Sequence, residues 1–503
     1  MKQLLIIVFT LVLFGNANSQ ESQLYILEGE GNEKPITTIT EGPEGIAITL
    51  NLESFSTQSV PMTEGEAERV IYPGGVNVTV KGQPDIQHIA TGIAIPSFGK
   101  TELTIVESEY TDFPNFNIAP SAGDPGIYYN EPEKYIPDTA IYGHDSFFPA
   151  SIVTADDPYI WASTRGQVIR FYPVQYNPAE KILRVYHYIK ATLKTLNEPG
   201  INEVTRLSAF SESGTPVNMM SRQYFTNSIE SSRYAVIEEQ GNMLIISHPD
   251  FIESMKPFIE WKNQKGIHCD IVDVNTIGDA AKIKDYISEY YYSKGLTYLL
   301  LVGDAAFVPS NVATKGASDN MYGYITGNDH YPEILVGRFS CETADQCRIM
   351  VERTLTYEKN PAENASFDNF LGIGSGLGPG DDGEMDFEHI RNIGTTLHSN
   401  TYNRVNELYD GSRGGNDQNG NPTAILTADA INKGQGAIMY IGHGSVKSWL
   451  TSEFSTTDAR ELTNTATHPF IWSAGCNNGD FTDITCLAES FLRAESNGNP
   501  TGA

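Results

Sequence analysis

Positive charge is scarce in this chain: 33 Lys and Arg face 63 Asp and Glu, so the formal charge is 33 − 63 = −30. A field of that sign repels nucleic acid and anionic membrane surfaces, so no nucleic-acid partner is expected. Cysteine is rare as well, with Cys269, Cys341, Cys347, Cys476 and Cys486 the only five in 503 residues. That is too few for a disulfide scaffold, and an odd number leaves at least one thiol unpaired. No stretch reaches the roughly 18 apolar residues that a membrane-spanning helix needs, so no span is expected. Internal repeats and low-complexity tracts are missing too. With 40 % apolar residues and 45 glycines the composition is that of an ordinary globular protein.

Lys2 precedes an apolar run from Leu4 to Phe14, and the small residues Ala17 and Ser19 follow. This pattern predicts a secretory signal peptide over residues 1–19 and an exported, secreted product. From residue 20 the segments are short and β-rich, such as Gly45 to Leu52 and Ile182 to Ala191, with turn residues between them. They predict an all-β, sandwich-like domain over residues 20–233. From about Met243 the rhythm changes: apolar runs such as Met243 to Ser247, Tyr298 to Gly303, Ala437 to Gly442 and Phe470 to Ala474 alternate with amphipathic helices. Residues 234–503 therefore read as an α/β domain with a mostly parallel sheet covered by helices, whose chemistry belongs beyond the carboxyl ends of its strands.

Two of those strands end in reactive residues. His443 follows Ala437 to Gly442, and Cys476 follows Pro469 to Gly475, 33 residues later. A thiolate attacks carbonyl carbon, an imidazole moves the proton, and the backbone N–H groups of Gly444 and Cys476 are placed to receive an oxyanion. A free thiol in an exported protein is exposed to oxidation, and nucleophilic catalysis is a reason to keep one.

Gly442-His443-Gly444-Ser445 with Trp449, followed by Cys476 to Phe481, resembles the gingipain family of secreted bacterial cysteine endopeptidases. Trp261 to Gln264, Leu300 to Asp304, Gly327 to Tyr331 and Gly337 to Cys341 resemble that catalytic domain; Arg165 to Val168 and Gln175 to Pro178 resemble its propeptide. The resemblance implies a caspase-like fold behind a β-rich propeptide, with Cys476 as nucleophile and His443 as acid/base. It further implies that Asp386, in Gly383-Glu384-Met385-Asp386, lies at the base of a pocket for arginine, with Trp449 also contacting substrate. Asp304, Asp329, Tyr331 (by its carbonyl), Glu333 and Glu384 fall on or near family positions that hold structural Ca²⁺, whose hard-oxygen preference suits them; His389, a poor ligand for it, is left out. Arg222 and especially Arg233 lie where the family releases its propeptide, so an arginine-specific enzyme would process itself after Arg233.

The stretch from Gly374 to Gly380 departs from the family, which has an acid there. No third catalytic residue is assigned; backbone groups, Asp381 or Asp382 are left to orient His443. Family catalytic domains also continue past the position matching Ala503, so residues 234–503 are expected to be incomplete at the C-terminus. The expected product is a monomeric zymogen whose partners are its own propeptide and substrates with Arg before the scissile bond. The alternatives are a Lys-preferring peptidase of the same family and a catalytically inactive exported binding protein.

Overall fold

The computed structural model describes residues 7–11, 22–27, 35–62, 65–77, 80–123, 135–208, 216–227, 241–313, 316–363, 366–378, 384–482 and 484–503. Arg233, Gly383, Asp381 and Asp382 lie outside the described residues. The chain divides into two compact units: Met1–Thr205 with Met220–Ser232 and Gly327–Asp329, and Arg206–Met219 with Arg233–Thr326 and His330–Ala503.

The first unit is built from antiparallel strands. Ile182–Thr195 is its long central strand, paired along its length with Thr101–Pro114 on one side and with Val174–Asn177 and then Gly45–Asn51 on the other. A second sheet pairs Thr164–Phe171 with Gln87–Ala94 and Val153–Ala155. Alternate residues of these strands, among them Ile48, Leu50, Ile93, Ile169, Phe171, Val185 and Ile189, share one core, which is the signature of sheets packed face to face. Arg165 is buried at 1 % exposure and donates to the carbonyls of Pro96, Gly99 and Ile201, cross-linking the loops around it. Ile7–Leu11, inside the expected leader, pairs with Ser22–Ile26; that pairing would leave with the leader.

The second unit holds two parallel sheets of four strands where the sequence reading expected one. The first runs His268–Asp273, Asn242–Ser247, Tyr298–Val302, Leu335–Phe339 in spatial order. The second runs Arg404–Tyr409, Asn369–Gly374, Ala437–Ile441, Phe470–Ala474. Both faces of the first sheet are buried, because Met243 and Ile245 join one core while Leu244 and Ile246 join the other. Continuous apolar runs are what such double burial demands. Its covering helices start on side-chain caps: Asp279 accepts from Lys282 N–H and Thr343 from Gln346 N–H. The helix Ala280–Lys294 buries Ile283, Ile287, Tyr290 and Tyr291, one stripe at helical spacing.

The second sheet and its last helix, Leu487–Arg493, are fastened to the first half of this unit by buried arginines. Arg353, in the helix Ala344–Lys359, donates to the carbonyls of Phe491, Leu492, Ala494 and Thr501. Arg493 donates to the Ser340 carbonyl and pairs with Glu489, Glu342 and Asp304. Burial, and after it the charge of Arg353, lowers the His468 pKa from the usual 6.5 to about 4. The fold thus binds that proton less readily than the unfolded chain does, so acidification from about pH 6.5 towards pH 4 removes stability. Tm measured across that range should fall more steeply in the wild type than in His468→Gln; equal slopes would clear His468 of responsibility.

Candidate active site

Neighbouring parallel strands set the positions of the two reactive side chains. Ile441 at the end of the histidine strand (Ala437–Ile441) pairs with Ala474 at the end of the cysteine strand (Phe470–Ala474). His443 and Cys476 each follow two residues later, so they leave the sheet at one level from strands about 4.8 Å apart. The backbones stay in contact beyond the sheet: a Cβ on Gly444 would lie 2.7 Å from the Cys476 carbonyl oxygen and 2.9 Å from its nitrogen. Only glycine permits that approach. Both expected oxyanion donors, the N–H groups of Gly444 and Cys476, therefore belong to one junction.

The histidine loop is a small antiparallel meander of Gly444–Ser445, Ser448–Trp449 and Phe454–Ser455. The His443 carbonyl accepts from the Tyr440 hydroxyl at 2.5 Å and from Leu450 N–H at 3.0 Å, which fixes the backbone that carries the imidazole. After Cys476 the chain turns at Asn477, whose φ of 63° is a left-handed conformation that Asn tolerates better than most residues. Next comes Asn478, 4 % exposed. Its Nδ2 donates to the carbonyls of Ser445 at 2.6 Å and Ser448 at 3.1 Å, and its Oδ1 accepts from Ser473 at 3.0 Å. The sequence reading did not single out Asn478, Ser473 or Tyr440. Further along the same turn, Phe481 lies under the Arg338 guanidinium, 4.9 Å from its ring centroid. Arg338 in turn pairs with Asp319 and donates to the carbonyls of Gly303 and Val308. The turn is thereby anchored to the first parallel sheet.

Asp386 opens the helix Asp386–Asn400, and its carboxylate accepts from the Ser375 hydroxyl. Ser375 abuts the histidine loop, since a Cβ on Gly442 would lie 3.2 Å from the Ser375 Cβ. The expected pocket acid is thus one side chain removed from Gly442, the residue before His443. Tyr440 registers the same neighbourhood, its hydroxyl pKa being raised by burial and, to a lesser degree, by the charge of Asp386.

Trp449 is where the structure corrects the sequence reading. It is fully buried, stacked on Tyr440 with centroids 4.9 Å apart, packed on Phe454 and Phe491, and its Nε1 donates to Ser473. An indole satisfied in this way belongs to the core beneath the site and presents no surface to a substrate.

Among the described residues no three His, Cys, Asp or Glu side chains form a metal-binding group. Asp304 is paired with Arg493, Glu384 with His389 and Asn392, and Asp329 falls in the first unit, where it accepts from Ile160 N–H. Glu333 is buried at 4 % exposure, with one carboxylate oxygen accepting from the N–H groups of Ile325 and Thr326.

All five cysteines are free, and Cys476 alone is exposed. Burial pushes the Cys269 thiol up to about 11 and the Cys486 thiol up to about 12. Contact with Cys347, together with burial, raises Cys341 further. Such thiols react slowly because the thiolate is the nucleophile. Iodoacetamide should therefore modify one cysteine per chain, Cys476, in the folded protein and all five after denaturation; a native stoichiometry above one would contradict this assignment.

Comparison with known proteins identifies the family. Residues 237–501 match the family model described as Peptidase family C25, and residues 31–210 match that of the C25 propeptide. The chain is 34 % identical over 468 residues to Gingipain R1 of Porphyromonas gingivalis, covering 90 % of this chain and 46 % of that protein. It is 31 % identical over 508 residues to Gingipain R2 of the same species, covering 99 % of this chain and 67 % of that protein. The crystal structure of the Arg-specific cysteine proteinase gingipain R matches with a TM-score of 0.50 at 35 % identity, covering 54 % of this chain and 63 % of that one. The chain thus spans about half the length of the first of these relatives. With a match over more than half its own length, it belongs to peptidase family C25, a family of cysteine-type peptidases, and carries that family's propeptide ahead of the peptidase unit.

Proposed function

We propose that the protein is an exported cysteine endopeptidase, made as a zymogen, that hydrolyses peptide bonds after arginine. The observation that carries this reading is the junction of Gly444 with Cys476, which brings the histidine and cysteine loops into backbone contact at the ends of paired strands. In the reaction, His443 takes the proton of the Cys476 thiol, and the thiolate adds to the scissile carbonyl carbon. The carbonyl oxygen becomes an oxyanion, received by the N–H groups of Gly444 and Cys476. As the C–N bond breaks, His443 delivers its proton to the departing amine and a thioester remains. Water, deprotonated by the same imidazole, then hydrolyses the thioester and restores the thiol.

Selectivity is assigned to Asp386. A carboxylate faces the fork of a guanidinium with two parallel hydrogen bonds, which a lysine ammonium cannot reproduce. The family relationship to Gingipain R1 and R2 supports arginine over lysine. Release of the propeptide after Arg233, by the enzyme's own activity, follows from that preference.

Reporter peptides ending in Arg, Lys or Ala, assayed under reducing conditions, test the reading. Arg-selective turnover is expected, abolished in Cys476→Ala and lowered roughly 10- to 150-fold in Asp386→Asn, the equivalent of the ~1.5–3 kcal/mol of a charged hydrogen bond. Lys-selective turnover would transfer the protein to the other specificity, and no turnover by folded, processed enzyme would leave a binding protein.

Calcium enters this reading as a loop stabiliser only. It rests on Glu333, a buried acid in a run with Asp329 and the Tyr331 carbonyl at alternate positions, an oxygen donor set that suits Ca²⁺. Millimolar calcium is expected to raise Tm in the wild type and not in Glu333→Gln. An unchanged wild-type Tm would remove calcium from the account.

A further inference from the structure

The side chain of Asn478 spans two loops that the chain separates by 30 residues or more. It stands two residues after Cys476, and the carbonyls it binds, those of Ser445 and Ser448, belong to the meander that begins beside His443. The amide is fully used: both Nδ2 hydrogens point to those carbonyls, and Oδ1 takes the Ser473 hydroxyl, whose oxygen also receives the Trp449 indole N–H. Its main-chain carbonyl accepts from Ala488 N–H, in the helix Leu487–Arg493, so the backbone that carries the amide is held too. At 4 % exposure, water does not compete for these bonds. A buried amide of this kind has a single orientation: turning it over would set an oxygen against two carbonyl oxygens.

We infer that Asn478 is a positioning residue for the Cys476–His443 pair, setting the separation of thiol and imidazole by tying the nucleophile turn to the histidine loop. The inference rests on the endopeptidase reading given above. Parallel strand pairing ends at Ile441 and Ala474, so beyond that level the two loops have left the ladder that aligns them. The Gly444–Cys476 contact brings them close without fixing their slide along one another. Two hydrogen bonds from one rigid planar group fix that slide. Asn477, next door, does a different job, since it is exposed and supplies the left-handed turn.

Asn478→Asp keeps the shape and removes both donors, leaving carboxylate oxygens against two carbonyls. Loss of register by about 1 Å costs on the order of 10²-fold in rate. The processed full chain carrying Asn478→Asp should therefore lose about 10²-fold in kcat while KM stays within about twofold. The pH profile of Cys476 alkylation by iodoacetamide should also move towards that of His443→Ala, because the imidazole no longer meets the thiol. A purely structural role would lower Tm and leave that profile at its wild-type position. Should Asn478→Asp fail to fold, Ser473→Ala, which frees Oδ1 and the Trp449 indole N–H and loosens the amide without removing its two donated bonds, is read in its place, with a smaller displacement of the profile and a smaller loss of kcat expected. Wild-type kcat, or a wild-type alkylation profile in the variant that is read, overturns the inference. Because alkylation needs no turnover, the profiles decide this point even if wild-type peptidase activity proves absent, the result that would sink the endopeptidase reading alone.

Discussion

Everything chemical in this protein depends on the pairing of Ile441 with Ala474. Parallel strands in register release their chains at one level, and an equal count of two residues then sets His443 and Cys476 just past the ends of adjacent strands. A slip of one residue would turn every side chain of the cysteine strand to the opposite face. Register is protected because the neighbouring histidine strand is buried between partners, with Ile438 and Tyr440 in one core and Met439 packed against another. Stability and the placement of His443 thus share a cause, the continuous apolar run Ala437–Ile441 packed on both faces.

Around that pairing the molecule uses arginine as a fastener. Arg338, Arg353 and Arg493 are each nearly withdrawn from water, and each reaches carbonyls or carboxylates contributed by a distant stretch of chain. Burying a charge is costly unless its hydrogen bonds are satisfied, and the planar fork of arginine can satisfy up to five at once. Arg353 shows how this works with backbone alone. It accepts the burden of the helix Leu487–Arg493, whose last carbonyls have no partner within the helix and carry the negative end of its dipole. The His468 imidazole beside it has its pKa lowered first by its own burial and then by that charge.

The sequence made the layering and the reactive pair legible because both announce themselves locally. Apolar runs buried on two faces are conspicuous, and a histidine and a cysteine placed just after such runs need no long-range information. The strand Arg404–Tyr409 was missed because it lies at a sheet edge, where polar residues such as Arg404 and Asn406 are tolerated and the apolar signal fades. The division into two sheets was missed as well, since strand rhythm counts strands without saying which of them pair. Asn477 and Asn478 look alike in sequence; one takes a left-handed turn in solvent and the other is buried in a hydrogen-bonding clamp, a difference set by the fold. Trp449 misled for a related reason: a family resemblance carries a residue's name and says nothing of its burial, while its size and its indole N–H found a place in the core.

The strand that leads to Cys476 is short. Its five residues, Phe470 to Ala474, pair one for one with Ala437–Ile441. That segment therefore has no slack: the step it keeps with Ala437–Ile441 is the step that Cys476 keeps with His443.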